Sequence, residues 1–258
     1  MSQHLHDFKT TVKESLLRLV FEMTGTALLT SLWLSCFSSG DRIGFYVGYF
    51  VLLVFSARIS GSHFNPAVTL AFMVRKETGG FSRVLGIAYI IFQILGGFLG
   101  ALLTFSFFHQ RPIISLTMTP NGGYLIVQSI LIQVVAAAIL VFLYLTQTEE
   151  KTKLSDDNAI TTLIIAAAYY VAVIWSSSYG DVQNLNPVNP AIAFGDSCGM
   201  LFEPGNQSSG GWLFWLMPFG GSLLAVLLFE LVFKKAAAAV EEQNQAQEGD
   251  GAGLLANE

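Results

Sequence analysis

Long apolar stretches separated by short polar connections dominate the pattern of this sequence. Six stretches have the length and low charge of membrane-spanning helices, at about residues 15–38, 43–60, 83–108, 124–146, 159–178 and 211–233. They are continuous apolar runs rich in Gly and Ala, whereas the strands of a membrane β-barrel alternate polar and apolar positions. The pattern therefore predicts an all-α membrane protein with six transmembrane helices.

Composition agrees with a membrane location. Hydrophobic residues make up 53% of the chain and charged residues only 12%, against about 25% charged residues in a typical soluble domain. With a net charge of −5, nothing favours a nucleic-acid partner. Cys36 and Cys198 both lie in apolar settings, so we expect packing residues and neither a disulfide framework nor a metal site.

The basic residues predict the orientation. Eleven of the thirteen Lys and Arg residues fall before the first span, around the second connection, around the fourth connection or after the sixth span, and only Arg42 and Arg111 fall on the other side. Lys and Arg concentrate in cytoplasmic loops. Both termini are therefore expected to be cytoplasmic.

One tripeptide occurs twice, as Asn65-Pro66-Ala67 and Asn189-Pro190-Ala191. Asn is a preferred helix N-cap and Pro is the preferred first helical residue, so each copy predicts the start of a helix. The segments that follow, about 66–75 and 190–199, are too short to cross a bilayer. We expect two half-helices that begin inside the membrane.

The two copies divide the chain into half-repeats, residues 1–112 and 113–235, followed by a polar tail at 236–258 that is predicted to be disordered. Each half contains three spans and one half-helix. Because three is an odd number, the second half enters the membrane from the opposite face. An inverted repeat of this kind places its functional site near the midplane, where the broken helices meet.

The residues around these tripeptides resemble the aquaporin and glycerol-facilitator family of major intrinsic proteins. The similar segments are Ser60–Thr69 and Asn189–Gly195 for the two signatures, Trp212–Gly221 for the sixth span, and Glu22 with Thr24 and Gly25 in the first span. The resemblance extends across all six spans and leaves out only the tails.

The resemblance implies an aquaporin-like fold and a homotetramer with one pore in each subunit. It implies that Asn65 and Asn189 donate hydrogen bonds to passing water, at helix starts completed by Pro66, Ala67, Pro190 and Ala191. Its implied partners are water, small neutral solutes and the lipid bilayer. No catalytic residue, metal or cofactor is expected.

Three further residues are expected to hold the re-entrant loops. The family usually buries a Glu in the first and fourth spans, and the matching residues here are Glu22 and Gln133. His63, beside the first signature, is expected to orient its loop. For all three a structural role is favoured over a proton relay or a metal ligand.

The position after the second tripeptide departs from the family pattern. It usually carries an Arg at the outer constriction, and here it is Ile192. An alternative register would use Asn186-Pro187-Val188 as the signature. The following Phe194-Gly195 favours the register with Asn189.

Two aromatic residues are assigned to the constriction by the resemblance. Phe45 lies at the second-span position, counted without gaps from Asn65. The fifth-span position is ambiguous, because different counts reach Tyr170, Val171 or Ser177. We favour Tyr170.

A passive water channel is the leading hypothesis. The pair Phe214-Trp215 resembles water-selective members, and Ala193 stands where glycerol facilitators carry an Asp. The alternatives are a broader facilitator of glycerol, urea, ammonia or hydrogen peroxide, an ion-coupled secondary transporter, which shares the inverted repeat, and a structural membrane-junction protein. An enzyme is not expected.

Two short motifs concern the cellular location. Asp250–Leu255 resembles an acidic dileucine signal. The expected location is therefore the plasma membrane or an endosomal or vacuolar membrane. Asn206 begins a glycosylation sequon close to Trp212, and we expect it to be poorly used.

Overall fold

The computed structural model describes residues 2–76, 81–108, 123–177, 186–199 and 211–255. In chain order its helices are α1 (Ser2–Ser39), α2 (Arg42–Ser60), α3 (Pro66–Val74), α4 (Arg83–Phe108), α5 (Gly123–Thr148), α6 (Asn158–Ser177), α7 (Pro190–Gly199), α8 (Trp212–Leu228) and α9 (Lys234–Leu255). A π-helical turn at Phe229–Phe233 joins α8 to α9. The sequon at Asn206 lies outside the described residues.

Six of these helices, α1, α2, α4, α5, α6 and α8, are long and apolar enough to cross a membrane. This confirms the predicted all-α membrane fold. Helices α3 and α7 have 9 and 10 residues, which gives lengths of about 14 and 15 Å. Each therefore spans about half of a bilayer core that is about 30 Å thick.

Helix packing repeats between the two halves of the chain. The first and third spans of each half pack together, as α1 with α4 and α5 with α8. Each half-helix also packs against the third span of the opposite half, α3 on α8 and α7 on α4. Each half-helix is thereby in contact with both halves of the chain.

The two half-helices start at a shared junction and extend from it in opposite directions. We call the half of the bundle that contains α3 the α3 side. Consecutive spans alternate in direction, so this side also holds the C-terminal ends of α2, α5 and α8, and Arg75 at the end of α3 pairs there with Glu149 and Glu230. The other half is the α7 side, which holds the C-terminal ends of α1, α4 and α6. With cytoplasmic termini, the α7 side would face away from the cytoplasm.

The tail differs from the expectation of disorder. The structure continues the helix from α8 through the π-helical turn into α9, which extends to Leu255. Its segment Lys234–Glu242 contains four consecutive alanines and two glutamates, which are strong helix formers. A helix that already exists also needs no new nucleation step.

Two glycines allow the close approach of α7 to α4. A Cβ atom on Gly97 would collide with the backbone carbonyl of Ala191, and one on Gly195 would collide with the carbonyl of Gly97. Both obstacles are backbone atoms, which cannot turn aside as a side chain can. The position of the second half-helix therefore depends on these two residues.

We expect Gly97→Ala to lower the midpoint of thermal unfolding in detergent, with a loss of about 1–3 kcal/mol from overpacking. Gly220→Ala is the matched control, because the nearest atom to its new Cβ is Val134 Cγ2 at 3.4 Å and Ala is the better helix former. Equal midpoints for the two variants would contradict the close α4–α7 contact.

Candidate functional site

Two buried asparagines join the half-helices at their N-termini. Asn65 Oδ1 accepts a hydrogen bond from Ala67 N at 2.9 Å, and Asn189 Oδ1 accepts one from Ala191 N at 3.0 Å. Each asparagine thus caps its own half-helix, as the sequence predicted. The helix α7 starts at Pro190, which agrees with the register that has Asn189 in the signature.

The same asparagines also bond across the junction. Asn65 Nδ2 donates to the carbonyl of Val188 at 3.1 Å, and Asn189 Nδ2 donates to the carbonyl of Phe64 at 2.9 Å. Each acceptor is the residue immediately before the other asparagine. Because a side-chain amide has two N–H groups, this reciprocal pair leaves a second N–H on each asparagine.

The first turns of both half-helices are enclosed by protein. Pro66 and Pro190 are buried, and neither Ala67 nor Ala191 has any exposed surface. Ser222 of α8 donates a hydrogen bond to the Ala67 carbonyl at 2.5 Å. The tripeptide side chains other than Asn therefore serve close packing around the junction.

The loop before α3 has a strained backbone that Glu22 holds in place. Ser62 and Phe64 have positive φ angles of 54° and 47°, which side-chain-bearing residues rarely adopt. The buried Glu22 carboxylate accepts hydrogen bonds from the backbone N–H groups of His63 at 3.0 Å and Phe64 at 2.7 Å. Both donors would otherwise be unpaired inside the membrane.

A polar chain extends from Glu22 to His63. Gln93 Nε2 donates to Glu22 Oε2 and to Thr69 Oγ1, both at 2.8 Å. His63 Nδ1 lies 3.1 Å from Thr69 Oγ1, and its ring stacks on Phe72. The imidazole is thus fixed by a hydroxyl and an aromatic ring, an arrangement that favours the predicted structural role.

Two tyrosine hydroxyls bind carbonyls between α2 and α3, and sequence reasoning missed them. Tyr89 donates to Ser60 O at 2.9 Å, and Tyr144 donates to Gly61 O at 2.6 Å. The only sequence signal for these two residues is a phenol group within an apolar span. A buried hydroxyl needs a partner, and the strained loop provides carbonyls.

The described part of the second loop is held differently. Val188 also has a positive φ of 51°, but its N–H donates to Asn186 Oδ1 at 2.9 Å. Pro187, which corresponds to His63, has no N–H to donate. Gln133 is buried, and among the described residues no N–H group donates to its Oε1. The bracing role of Gln133 stays a prediction.

The inward-facing tyrosine of α6 is Tyr169, not Tyr170. Tyr169 is 1% exposed and donates from its hydroxyl to the carbonyl of Pro187 at 2.6 Å, whereas Tyr170 is 42% exposed. Val171, the other neighbouring candidate, is exposed as well. Consecutive helical residues are separated by about 100° around the axis, so an offset of one residue turns the side chain outward.

The two other residues predicted for the constriction, Phe45 and Ile192, are enclosed in the interior. Phe45 has no exposed surface and packs edge-on against Tyr169 and Trp33, with ring centroids 5.6 and 5.1 Å apart. Ile192 also has no exposed surface. Phe45 and Tyr169 therefore bring aromatic surface from α2 and α6 together on the α7 side.

Charged residues meet at the end of α3, where sequence reasoning had assigned no site. Arg75, at the C-terminal cap, pairs with Glu149, the residue after α5, and with Glu230, 3.4 Å away in the π-helical turn. Lys234 lies 3.6 and 3.7 Å from the same two carboxylates. Two basic residues therefore neutralise two acidic ones at this end.

Buried polar atoms without a hydrogen-bond partner are concentrated on the α7 side. Within the described part of the chain they are Thr30 Oγ1, Trp33 Nε1, Ser35 Oγ, Tyr46 Oη, Gln128 Oε1, Gln133 Oε1, Ser177 Oγ, Asn186 Nδ2, both carboxyl oxygens of Asp196, and Trp215 Nε1. On the α3 side, the polar groups around Glu22 and Arg75 are paired. Buried polar groups of this kind are usually satisfied by water.

Comparison with known proteins identifies one family. The profile of the family described as Major intrinsic protein matches residues 15–229. Among curated relatives, Aquaporin-1 of Botryotinia fuckeliana (strain B05.10) is 30% identical over 193 residues, which cover 75% of this chain and 38% of that protein. Probable aquaporin PIP2-5 of Arabidopsis thaliana is 23% identical over 191 residues, covering 73% of this chain and 64% of that protein.

A solved structure supports the same fold. The aquaglyceroporin from Plasmodium falciparum matches with a TM-score of 0.69 at 17% identity, covering 87% of this chain and 99% of that chain. At this identity the match shows the fold alone. The curated relatives are longer, since this chain spans less than two thirds of the length of each of the two described above.

Glu22→Gln tests the support of the first loop. An amide offers one acceptor oxygen in place of two, so one of the N–H groups of His63 and Phe64 loses its partner, at a cost of about 1–3 kcal/mol. We expect faster hydrogen exchange at these two amides and a lower unfolding midpoint. Glu14→Gln, an exposed change on the same helix, is the control. Unchanged exchange in Glu22→Gln would exclude the bracing role.

Proposed function

This chain belongs to the major intrinsic protein family, and we propose that it is a passive water channel with a single-file path through the junction of its half-helices. The observation that supports this most directly is the reciprocal pair Asn65 and Asn189. Asn65 keeps a second N–H after bonding to the opposite loop, whereas the amide of Asn189 bonds the other loop and also faces the Tyr169 hydroxyl. A free amide N–H at the junction suits a water oxygen, which accepts hydrogen bonds.

Helix dipoles supply the ion barrier in this proposal. Both half-helices direct their N-termini to the junction, and each terminus carries about half of a positive charge. Together they oppose the entry of cations at the midplane. The asparagine donors fix the orientation of each water molecule and so interrupt proton transfer along the file.

The α7 side supports water over larger solutes. Phe45 and Tyr169 place two aromatic rings near one another, and Ile192 adds a branched apolar side chain. Asn186 provides a polar contact, because its Nδ2 is buried without a partner and is free to donate to a passing oxygen. It supplies a donor in a region where Ile192 has none.

A broader facilitator of small neutral solutes is the second candidate. Ile192 is the observation that favours it, because a side chain without a guanidinium presents no permanent charge and no fixed donors to the path. Glycerol, urea, ammonia and hydrogen peroxide are the solutes to compare. Stopped-flow swelling and shrinking of proteoliposomes, measured for water and for each solute, separates the two candidates.

The assembly and the orientation are also proposals. We infer a homotetramer with one path in each subunit and with both termini in the cytoplasm. Many apolar side chains on the outer faces of the spanning helices are exposed, including Val47, Val51 and Phe55 on α2, and such faces suit lipid or neighbouring subunits. Cross-linking and protease protection of a tagged terminus test the two inferences separately.

Replacing either central asparagine by aspartate tests the path. In Asn65→Asp and Asn189→Asp the carboxylate still caps the helix but can no longer donate a hydrogen bond when ionised. We expect water permeability to fall at least about tenfold or cation exclusion to weaken, because a negative charge now offsets the dipoles. Asp41→Asn, an exposed cap change at α2, serves as control. Unchanged water and ion permeability in both folded mutants would remove the asparagines from the path.

Ile192→Arg tests the α7-side constriction. A guanidinium adds fixed donors and a charge, so we expect the permeability ratio of water to glycerol to rise. Ile192→Leu conserves volume and controls for packing. If Ile192→Arg and the parent protein show the same solute profile, residue 192 does not lie at the constriction.

A further inference from the structure

Asp196 is an acidic residue in the interior of the bundle. It lies on α7, is 1% exposed, and neither carboxyl oxygen has a hydrogen-bond partner within the described part of the chain. A buried carboxyl group without compensation is costly. In a membrane protein, such a group is a candidate functional site.

The other buried carboxylates in the described part of the chain are compensated. Glu22 accepts two backbone N–H groups and the Gln93 amide. Glu149 and Glu230 pair with Arg75 and Lys234. These three carboxylates of the α3 side are thus paired, whereas the enclosed Asp196 on the α7 side has no hydrogen-bond partner among the described residues.

Asp196 shares a helix face with Ile192. Residues four apart on a helix are neighbours on its surface, and both of these side chains are enclosed in the interior. Asp196 lies one turn further from the junction. In the proposed channel it therefore lies near the α7-side mouth of the path, just beyond the constriction.

Two features near Asp196 are relevant to a bound cation: the hydroxyl of Thr30, which packs against α7, and the negative end of the α7 helix dipole. Thr30 approaches α7 at Gly195, where an added Cβ would lie 3.1 Å from Thr30 Cγ2, and the Thr30 hydroxyl is itself unpaired. The helix ends three residues further on, at Gly199. A helix C-terminus carries partial negative charge and favours cations.

We propose that Asp196 binds a small cation that carries N–H donors, at the α7-side mouth of the path. This inference rests on the proposed function, because the cation reaches the enclosed carboxylate through the path. An N–H cation suits a single unpaired carboxylate, to which it donates charge-assisted hydrogen bonds. Ca²⁺ requires six to eight oxygen ligands, and the described residues contain no group of three His, Cys, Asp or Glu residues.

The bound cation stays at the mouth. The same helix α7 that favours a cation at its C-terminus opposes one at its N-terminus, where Asn189 lies and α3 adds a second positive end. A cation at Asp196 therefore cannot proceed through the junction. The bound cation takes the place of a water molecule in the single-file path, and the water permeability of the channel therefore falls.

Guanidinium is the probe, because it remains charged at ordinary pH and has N–H donors that match a carboxylate. Tetramethylammonium has the same charge and no N–H group. We expect guanidinium at millimolar concentration, on both faces of proteoliposomes, to reduce water permeability, and tetramethylammonium at the same osmolarity to have no effect. In Asp196→Asn the half-inhibiting concentration should rise by about tenfold or more, equivalent to about 1.4 kcal/mol.

The matched control is Asp41→Asn, which removes one exposed acidic charge from the same side and keeps a good helix cap. It should retain the sensitivity of the parent protein. Equal effects of the two cations on the parent protein, or equal sensitivity of Asp196→Asn and Asp41→Asn, would overturn the site. Either result is expected if Asp196 binds only a proton or a water molecule and no cation.

The proposed function can fail separately. If the parent protein conducts no water, the channel proposal is wrong, and the site is then tested by thermal unfolding of the purified protein in detergent. A rise in the unfolding midpoint with guanidinium that is absent with tetramethylammonium and in Asp196→Asn supports the cation site. No rise in the parent protein overturns it.

Discussion

Unpaired backbone groups inside a bilayer are the constraint on which this structure depends. A helix satisfies its own N–H and C=O groups, but a half-helix must be reached by a non-helical loop at the depth where water is scarce. The loop before α3 meets this requirement through Glu22, Tyr89, Tyr144 and the amide of Asn189. Asn65 and Asn189 are thus part of the structural solution, since the contacts that position their amides also complete the loops.

The two halves satisfy the same constraint with different chemistry. In the first half a carboxylate from a distant helix receives two loop N–H groups, whereas in the second half Asn186 receives the N–H of Val188 within the loop itself. Within the described residues, the unpaired buried polar atoms are concentrated on the α7 side. The polar groups around Glu22 and Arg75 on the α3 side are paired.

Local chemistry made much of the fold predictable. Asn-Pro at a helix start acts within three residues, so the half-helices were located without any tertiary information. The sequence did not identify Tyr169, because the fifth-span position can be assigned only if the loop length is known to within one residue. It did not identify Asp196, because the lack of a hydrogen-bond partner is a property of the folded structure. The helical tail was missed because its acidic composition was weighed above the helix propensity of its alanines.

The reciprocal bonds between Asn65 and Val188 and between Asn189 and Phe64 link residues that are 123 and 125 positions apart. During synthesis at about 5–20 residues per second, the first loop therefore waits on the order of ten seconds for the partners that complete it. During that interval the first half of the nascent chain has polar groups at mid-membrane depth that lack their hydrogen-bond partners. Membrane insertion of this protein therefore depends on the order of synthesis as well as on hydrophobicity. The insertion machinery must retain the first half of the chain until the second half has been synthesised.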